Sequence, residues 1–198
     1  MTLPEYNKTL GKVATDIATK QGEIMVRLAT SALTFIHERV IGKGEMADGG
    51  KFPAYSINPM LVGGKSFPTK SVSDKVFGSK DKRKQLEWRT LGEGEGAKRL
   101  AILQGGYKQW RQLMGRQTNH VDFSVSNEMW NDINIISNTG DHNQGIAVIG
   151  ARKDSEKKKL AGNTSRKGDI LDLSPAEIDD LKLTYGLEVL NIFKTRGL

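Results

Sequence analysis

Residues 121–151, VDFSVSNEMWNDINIISNTGDHNQGIAVIGA, decide the fold class. Val121, Phe123 and Val125 alternate with Asp122, Ser124 and Ser126, the period-two pattern of a half-buried strand. Asn127 to Trp130 fits one helical turn or a bulge. Ile133, Ile135 and Ile136 predict a second strand, Asn138-Thr139-Gly140-Asp141 a turn, and Ile146, Val148 and Ile149 a third strand. Strands joined by connections this short predict an antiparallel meander.

Helices flank this stretch on both sides. Downstream, Ser174-Pro175-Ala176-Glu177 combines an N-cap Ser, Pro at the first helical position and Glu three residues after the Ser. Ile178, Leu181, Tyr185, Val189 and Ile192 then form an apolar stripe, with Asp179 and Asp180 near the positive end of the helix dipole. Upstream, residues 4–42 read as one long helix, broken at most once. Leu10, Val13, Ile17, Ile24, Leu28, Ala32, Ile36 and Val40 lie on one helical face, and Gly42 and Gly44 supply the stop.

Between the long helix and the sheet the chain changes character. Residues 42–80 carry seven glycines and three prolines between short apolar runs, which predicts a long excursion. Loops of that length are functional or become ordered on a partner. The Gly92-Glu93-Gly94-Glu95-Gly96 run is no phosphate loop, because its glutamates repel phosphate and no Gly-Lys-Ser/Thr follows. GGYKQWRQLMGR at 105–116 predicts a short helix with Tyr107, Trp110, Leu113 and Met114 on one face. Residues 152–169 read as a polar loop or short helix. The whole is one α+β domain over 1–198, with the long helix at 4–42, a loop-rich basic insertion at 43–104, and the sheet and C-terminal helix at 105–198.

Composition narrows the function. The chain has 198 residues, a net charge of +7 and 37% hydrophobic residues, enough for a core of ordinary size. With no Cys, disulfides, thiolate catalysis and Cys-ligated metals are excluded. No apolar run is long enough to span a membrane, and Met1 to Glu5 has neither the basic nor the apolar region of a signal peptide. His37, His120 and His142 are far apart and lack metal-ligand spacing, so no metal or cofactor is expected. No nucleophile elbow, Walker loop or dinucleotide fingerprint occurs, and no catalytic residue emerges.

The basic excess is concentrated. Residues 64–120 hold thirteen Lys and Arg against five Asp and Glu, a local balance of +8. Lys80, Lys82, Arg83 and Lys84 form its densest cluster, expected to face a partner or DNA. Trp88-Arg89 and Tyr107-Lys108-Gln109-Trp110-Arg111 interleave aromatic and basic residues. As a helical stripe these rings read first as core, and if exposed they would stack on bases.

The order of segments resembles the tailed-phage virion morphogenesis proteins, the tail-completion or head–tail joining group. The likeness is carried by VIGKGEMADGGKFPAYSINP at 40–59, where Ala47-Asp48-Gly49, Phe52 and Tyr55-Ser56 match. It continues in GGYKQWRQLMGRQTNHVDFSVSNEMWNDINI at 105–135, in GIAVIGA at 145–151, and in ILDLSPAEIDDLKLTYGLEVL at 170–190. The resemblance implies a structural virion protein of the neck or tail end, a connector, tail-completion or tail-terminator protein. It also implies a homo-oligomeric ring touching portal or tail-tube proteins, assembled in the host cytoplasm, with Asp48, Phe52 and Tyr55 on an inter-subunit loop and genomic DNA passing through the channel. The competing expectation is a sequence-independent nucleic-acid-binding protein.

Overall fold

The computed structural model describes residues 1–67, 69–84, 86–124, 126–140 and 144–198, and the side chains of Gly64, Val72, Lys75 and Lys82 are outside the description. Leu3–His37 form α1, whose first turn is closed by the Thr2 N–H donating to Glu5 Oε2 at 2.7 Å. The helix widens into a π-type segment over Glu38–Lys43 and stops at Gly44, whose φ of 65° is the left-handed conformation glycine adopts freely. The expected helix over 4–42 is thus present, with its break at residue 38.

Met60–Val62 (β1), Lys70–Phe77 (α2), Lys80–Lys84 (α3), Glu87–Leu91 (β2), Lys98–Leu103 (β3) and Gly106–Leu113 (α4) follow. Glu128–Asp132 (α5), Ile133–Gly140 (β4), Gly145–Ala151 (β5), Asp154–Lys167 (α6) and Pro175–Thr195 (α7) complete the order. The architecture is α+β, with a long N-terminal helix, small antiparallel sheets and a C-terminal helix. Two compact units divide it: residues 1–52 with 122–198, and residues 53–121.

In the first unit α1 is a spine used on two separate faces. On one, the β4–β5 hairpin lies so close that an ideal Cβ on Gly140 would sit 2.9 Å from the Gly22 nitrogen of α1, and one on Gly145 would meet Met25. Asn138 Nδ2 donates to the Gly22 carbonyl at 3.1 Å across the same approach. Gly22, a weak helix former by propensity, is thus where the sheet meets the helix backbone. On the other face α7 runs antiparallel to α1. Val13, Ile24 and Ile192 are buried between the two helices, and Arg196 grips Asp16 with both Nε and Nη2, at 2.6 and 2.8 Å. That guanidinium holds the Asp16 carboxyl below the usual carboxylate range.

The far end of this helix pair is tied by a buried ion pair. Arg39, 7% exposed, donates from Nε to Glu177 at 2.8 Å, from Nη1 to the Glu45 carbonyl at 3.0 Å, and from Nη2 to the Asp172 carbonyl. Glu177 is also the capping residue of α7: its carboxylate accepts from Ser174 N–H at 2.6 Å while its own N–H donates to Ser174 Oγ at 3.2 Å.

Three expectations are corrected. Residues 121–124 are irregular rather than a strand. Phe123 has φ of 53°, Asp122 Oδ1 accepts the Ser124 N–H at 2.8 Å, and Asp122 and Ser124 are buried along with Val121. The Asx turn satisfies locally the backbone that the alternation assigned to a ladder. Residues 138–140 belong to β4 and are no turn, so the meander reduces to one hairpin with a bulge between Ile135 and Ser137. The predicted 43–104 loop contains a three-stranded antiparallel sheet in the order β1-β3-β2, and the GEGEG run is its β2–β3 connection. Residues 154–167 form a full helix, α6. Val125, Asp141 and His142, assigned to a strand and a turn by sequence, lie outside the described residues.

In the second unit Val62, Phe67, Val76, Ala101 and Leu103 form the core, with Trp88, Trp110 and Phe77 packed on it. Arg111, 1% exposed, lies over the Tyr55 ring at 4.4 Å and donates from Nε to the Gln117 carbonyl at 3.1 Å.

Two outcomes follow for the first unit. Arg39→Ala leaves Glu177 enclosed without its cation and lowers stability by about 3–5 kcal/mol in urea unfolding, with Arg39→Lys recovering only part of the loss. His37 stands edge-on to Trp130 at 5.1 Å, and its Nε2 is buried with no hydrogen-bond partner among the described residues. Burial holds this imidazole below its ordinary 6.5, so the unfolded chain takes up the proton first. Stability of the first unit therefore falls as pH drops through about 6.5, above the range where the carboxylates titrate. Urea midpoints measured against pH will show that slope, and His37→Gln will flatten it.

Candidate functional site

The basic segment builds a cavity in the second unit. On β2 and β3 the register pairs Trp88 with Ala101 and Thr90 with Arg99. Strand alternation puts Trp88, Thr90, Arg99 and Ala101 on one face of the sheet, the face that carries the core. Past Ala101 the apolar packing ends, and Arg99 takes the next position on that face.

There Phe77, Leu86 and Trp88, all half-buried, meet the exposed cations Arg83, Lys84 and Arg99 around a cavity of about 550 Å³. Short-range contacts fix its parts. Trp88 Nε1 donates to the Arg83 carbonyl at 2.9 Å, and Arg83 Nε donates to the Phe77 carbonyl. The Arg99 guanidinium sits 4.8 Å over the Trp88 ring, and the Phe77 and Trp88 centroids are 5.7 Å apart. None of the described lining residues is acidic, and no described carboxylate pairs with Arg83, Lys84 or Arg99. The concavity therefore carries an uncompensated positive field beside aromatic faces.

The predicted cluster is partly recovered. Lys80, Arg83 and Lys84 are exposed on α3, and Arg83 and Lys84 line the cavity, while the Lys82 side chain lies outside the description. Sequence reasoning missed Arg99, fifteen residues beyond Lys84, because only the hairpin register delivers it to Trp88. The three residues of the predicted inter-subunit loop differ in exposure. Asp48 is exposed, its Oδ1 accepting the Gly50 N–H at 2.8 Å in a turn. Phe52 is buried, edge-on to Phe123 at 4.8 Å, and so is committed within its own unit. Tyr55 is half-buried beneath Arg111 and beside Tyr107, at 5.6 Å.

The first unit keeps two apolar surfaces turned away from α1. On α7, Leu183, Leu187 and Leu190 are 69%, 62% and 53% exposed, at spacings of four and three that make one stripe. The sequence reading of this helix named only the inner stripe and missed this one. On the hairpin, Ile136, Ile146 and Val148 are exposed on the face opposite α1. The bulge at Ile136 adds a third apolar side chain there, against Gly150.

Among the described residues no group of three or more His, Asp or Glu is gathered as a metal site, and no helix is long and apolar enough to cross a membrane. Comparison of the chain with protein-family models, with curated proteins and with solved structures finds no match.

Proposed function

We propose that the chain is a structural virion protein of a tailed bacteriophage, acting in the neck or tail end as a connector, tail-completion or tail-terminator protein. It forms a homo-oligomeric ring between head and tail components, is assembled in the host cytoplasm, and carries out no reaction of its own. The observation that supports this is the pair of unlike apolar surfaces on the first unit, the Leu183-Leu187-Leu190 stripe and the Ile136-Ile146-Val148 face.

A surface that pairs with a copy of itself closes a dimer, whereas two different surfaces that pair with each other run head to tail and close a ring when the rotation per copy allows. Burying the part of each Leu still exposed contributes about 1 kcal/mol or a little more, so the three-residue stripe supplies about 4 kcal/mol toward such a contact before the cost of association. The basic cluster of Lys80, Arg83 and Lys84 faces an acidic adjoining ring or DNA in the channel, where attraction to phosphate without sequence preference suffices.

Native mass spectrometry and negative-stain microscopy of the purified chain will show a closed ring of uniform copy number. Leu187→Glu, at an exposed position, will give monomers with unchanged far-UV circular dichroism. A wild-type chain that stays monomeric at tens of micromolar, and binds duplex DNA tightly with steep salt dependence, would overturn the ring in favour of a free nucleic-acid-binding protein.

A further inference from the structure

We propose that the cavity formed by Phe77, Arg83, Lys84, Trp88 and Arg99 binds a nucleotide with its base unstacked, either free or as one unit of a single strand. The inference does not rest on the ring. It rests on three properties of one concavity.

The first is size. A volume of about 550 Å³ lies within the range of small-ligand sites, roughly 300–1,000 Å³, and admits one nucleotide but no duplex.

The second is charge. Arg83, Lys84 and Arg99 converge without an acidic partner among the described residues, so an anion in the concavity gains from all three at once. A phosphate meets that need, and guanidinium groups bind it through two parallel hydrogen bonds.

The third is the stack. The Arg99 guanidinium already lies over Trp88 at 4.8 Å, and the indole is held by its bond to the Arg83 carbonyl. A base stacks on a guanidinium plane or on an indole with little regard to sequence. The Arg83 carbonyl holds Trp88 while the Arg83 guanidinium is itself tied through Nε to the Phe77 carbonyl, so the indole and a phosphate-binding group are positioned together. An acidic protein surface offers carboxylates but no base-like ring, and a duplex offers phosphates with its bases already stacked. Only an exposed nucleotide uses both halves of the cavity.

The test is fluorescence anisotropy of the full chain with a short labelled oligothymidylate, an abasic strand of equal phosphate number, a duplex, and unlabelled AMP and ATP as competitors. Oligothymidylate will bind about tenfold or more tightly than the abasic strand or the duplex at equal salt. Arg99→Gln and Lys84→Gln, both at exposed positions, will each weaken it several-fold, and Trp88→Leu will remove the preference over the abasic strand. Competition by AMP or ATP at the strand's own concentration range assigns the site to free nucleotide. Its absence assigns the site to a strand, and both outcomes support the proposal. Equal binding of base-bearing and abasic strands by the wild-type chain, insensitivity to Arg99→Gln, or no binding of any of these probes would overturn it. Far-UV circular dichroism checks the fold of each variant. Ring mass, measured on the same Arg99→Gln sample, reads out separately whether assembly holds.

Discussion

The first unit depends on one enclosed guanidinium. Arg39 binds the Glu177 carboxylate and the carbonyls of Glu45 and Asp172 at once, so the end of α1, the turn after it and the approach to α7 are joined at a single side chain. A buried ion pair of this kind adds little net stability over an apolar replacement, but it tolerates few alternative arrangements. Glu177 serves Arg39 while capping its own helix through Ser174, so the start of α7 is fixed along the chain and in space by the same carboxylate.

Because α7 and the hairpin each take a face of α1, apolar side chains on their outer faces stay exposed. A solvated helix ordinarily has one apolar stripe, and α7 has two. A lone two-stranded hairpin is marginal, and β4–β5 is secured by the close approach of Gly140 and Gly145 to α1 and, at its other end, by Asp132 accepting the N–H groups of Arg152 and Lys153. The exposed apolar surfaces are therefore by-products of how the unit folds around α1. The cationic cavity belongs to the other unit and is built by a different device, the end of a core-bearing sheet face.

The sequence announced what local chemistry decides. The Ser174-Pro175-Ala176-Glu177 box placed α7, the steps of three and four placed α1, and the isoleucines placed the cores of β4 and β5. It did not announce β2, because four of that strand's five residues are exposed and leave no alternation to detect. The pattern at 121–125 pointed to a strand, but Asp122 and Ser124 make an Asx turn there and are buried beside Val121, so the polar positions do not face outward. Within the cavity Arg83 and Lys84 stood out as a charge run. Trp88 appeared only as an aromatic beside Arg89, and its actual cationic partner, Arg99, reaches it across the hairpin.

The first unit is discontinuous in the chain: it is interrupted after Phe52 and resumed at Asp122. Its α1 must therefore find α7 across a long separation, a slow search for a flexible connection. Within the second unit, Tyr55 near one end stacks under Arg111, and Arg111 bonds the carbonyl of Gln117 near the other. If that unit collapses first, its own folding draws the two crossing points together and turns a long closure into a short one. In that order of events the inserted segment shortens the closure the outer unit has to make.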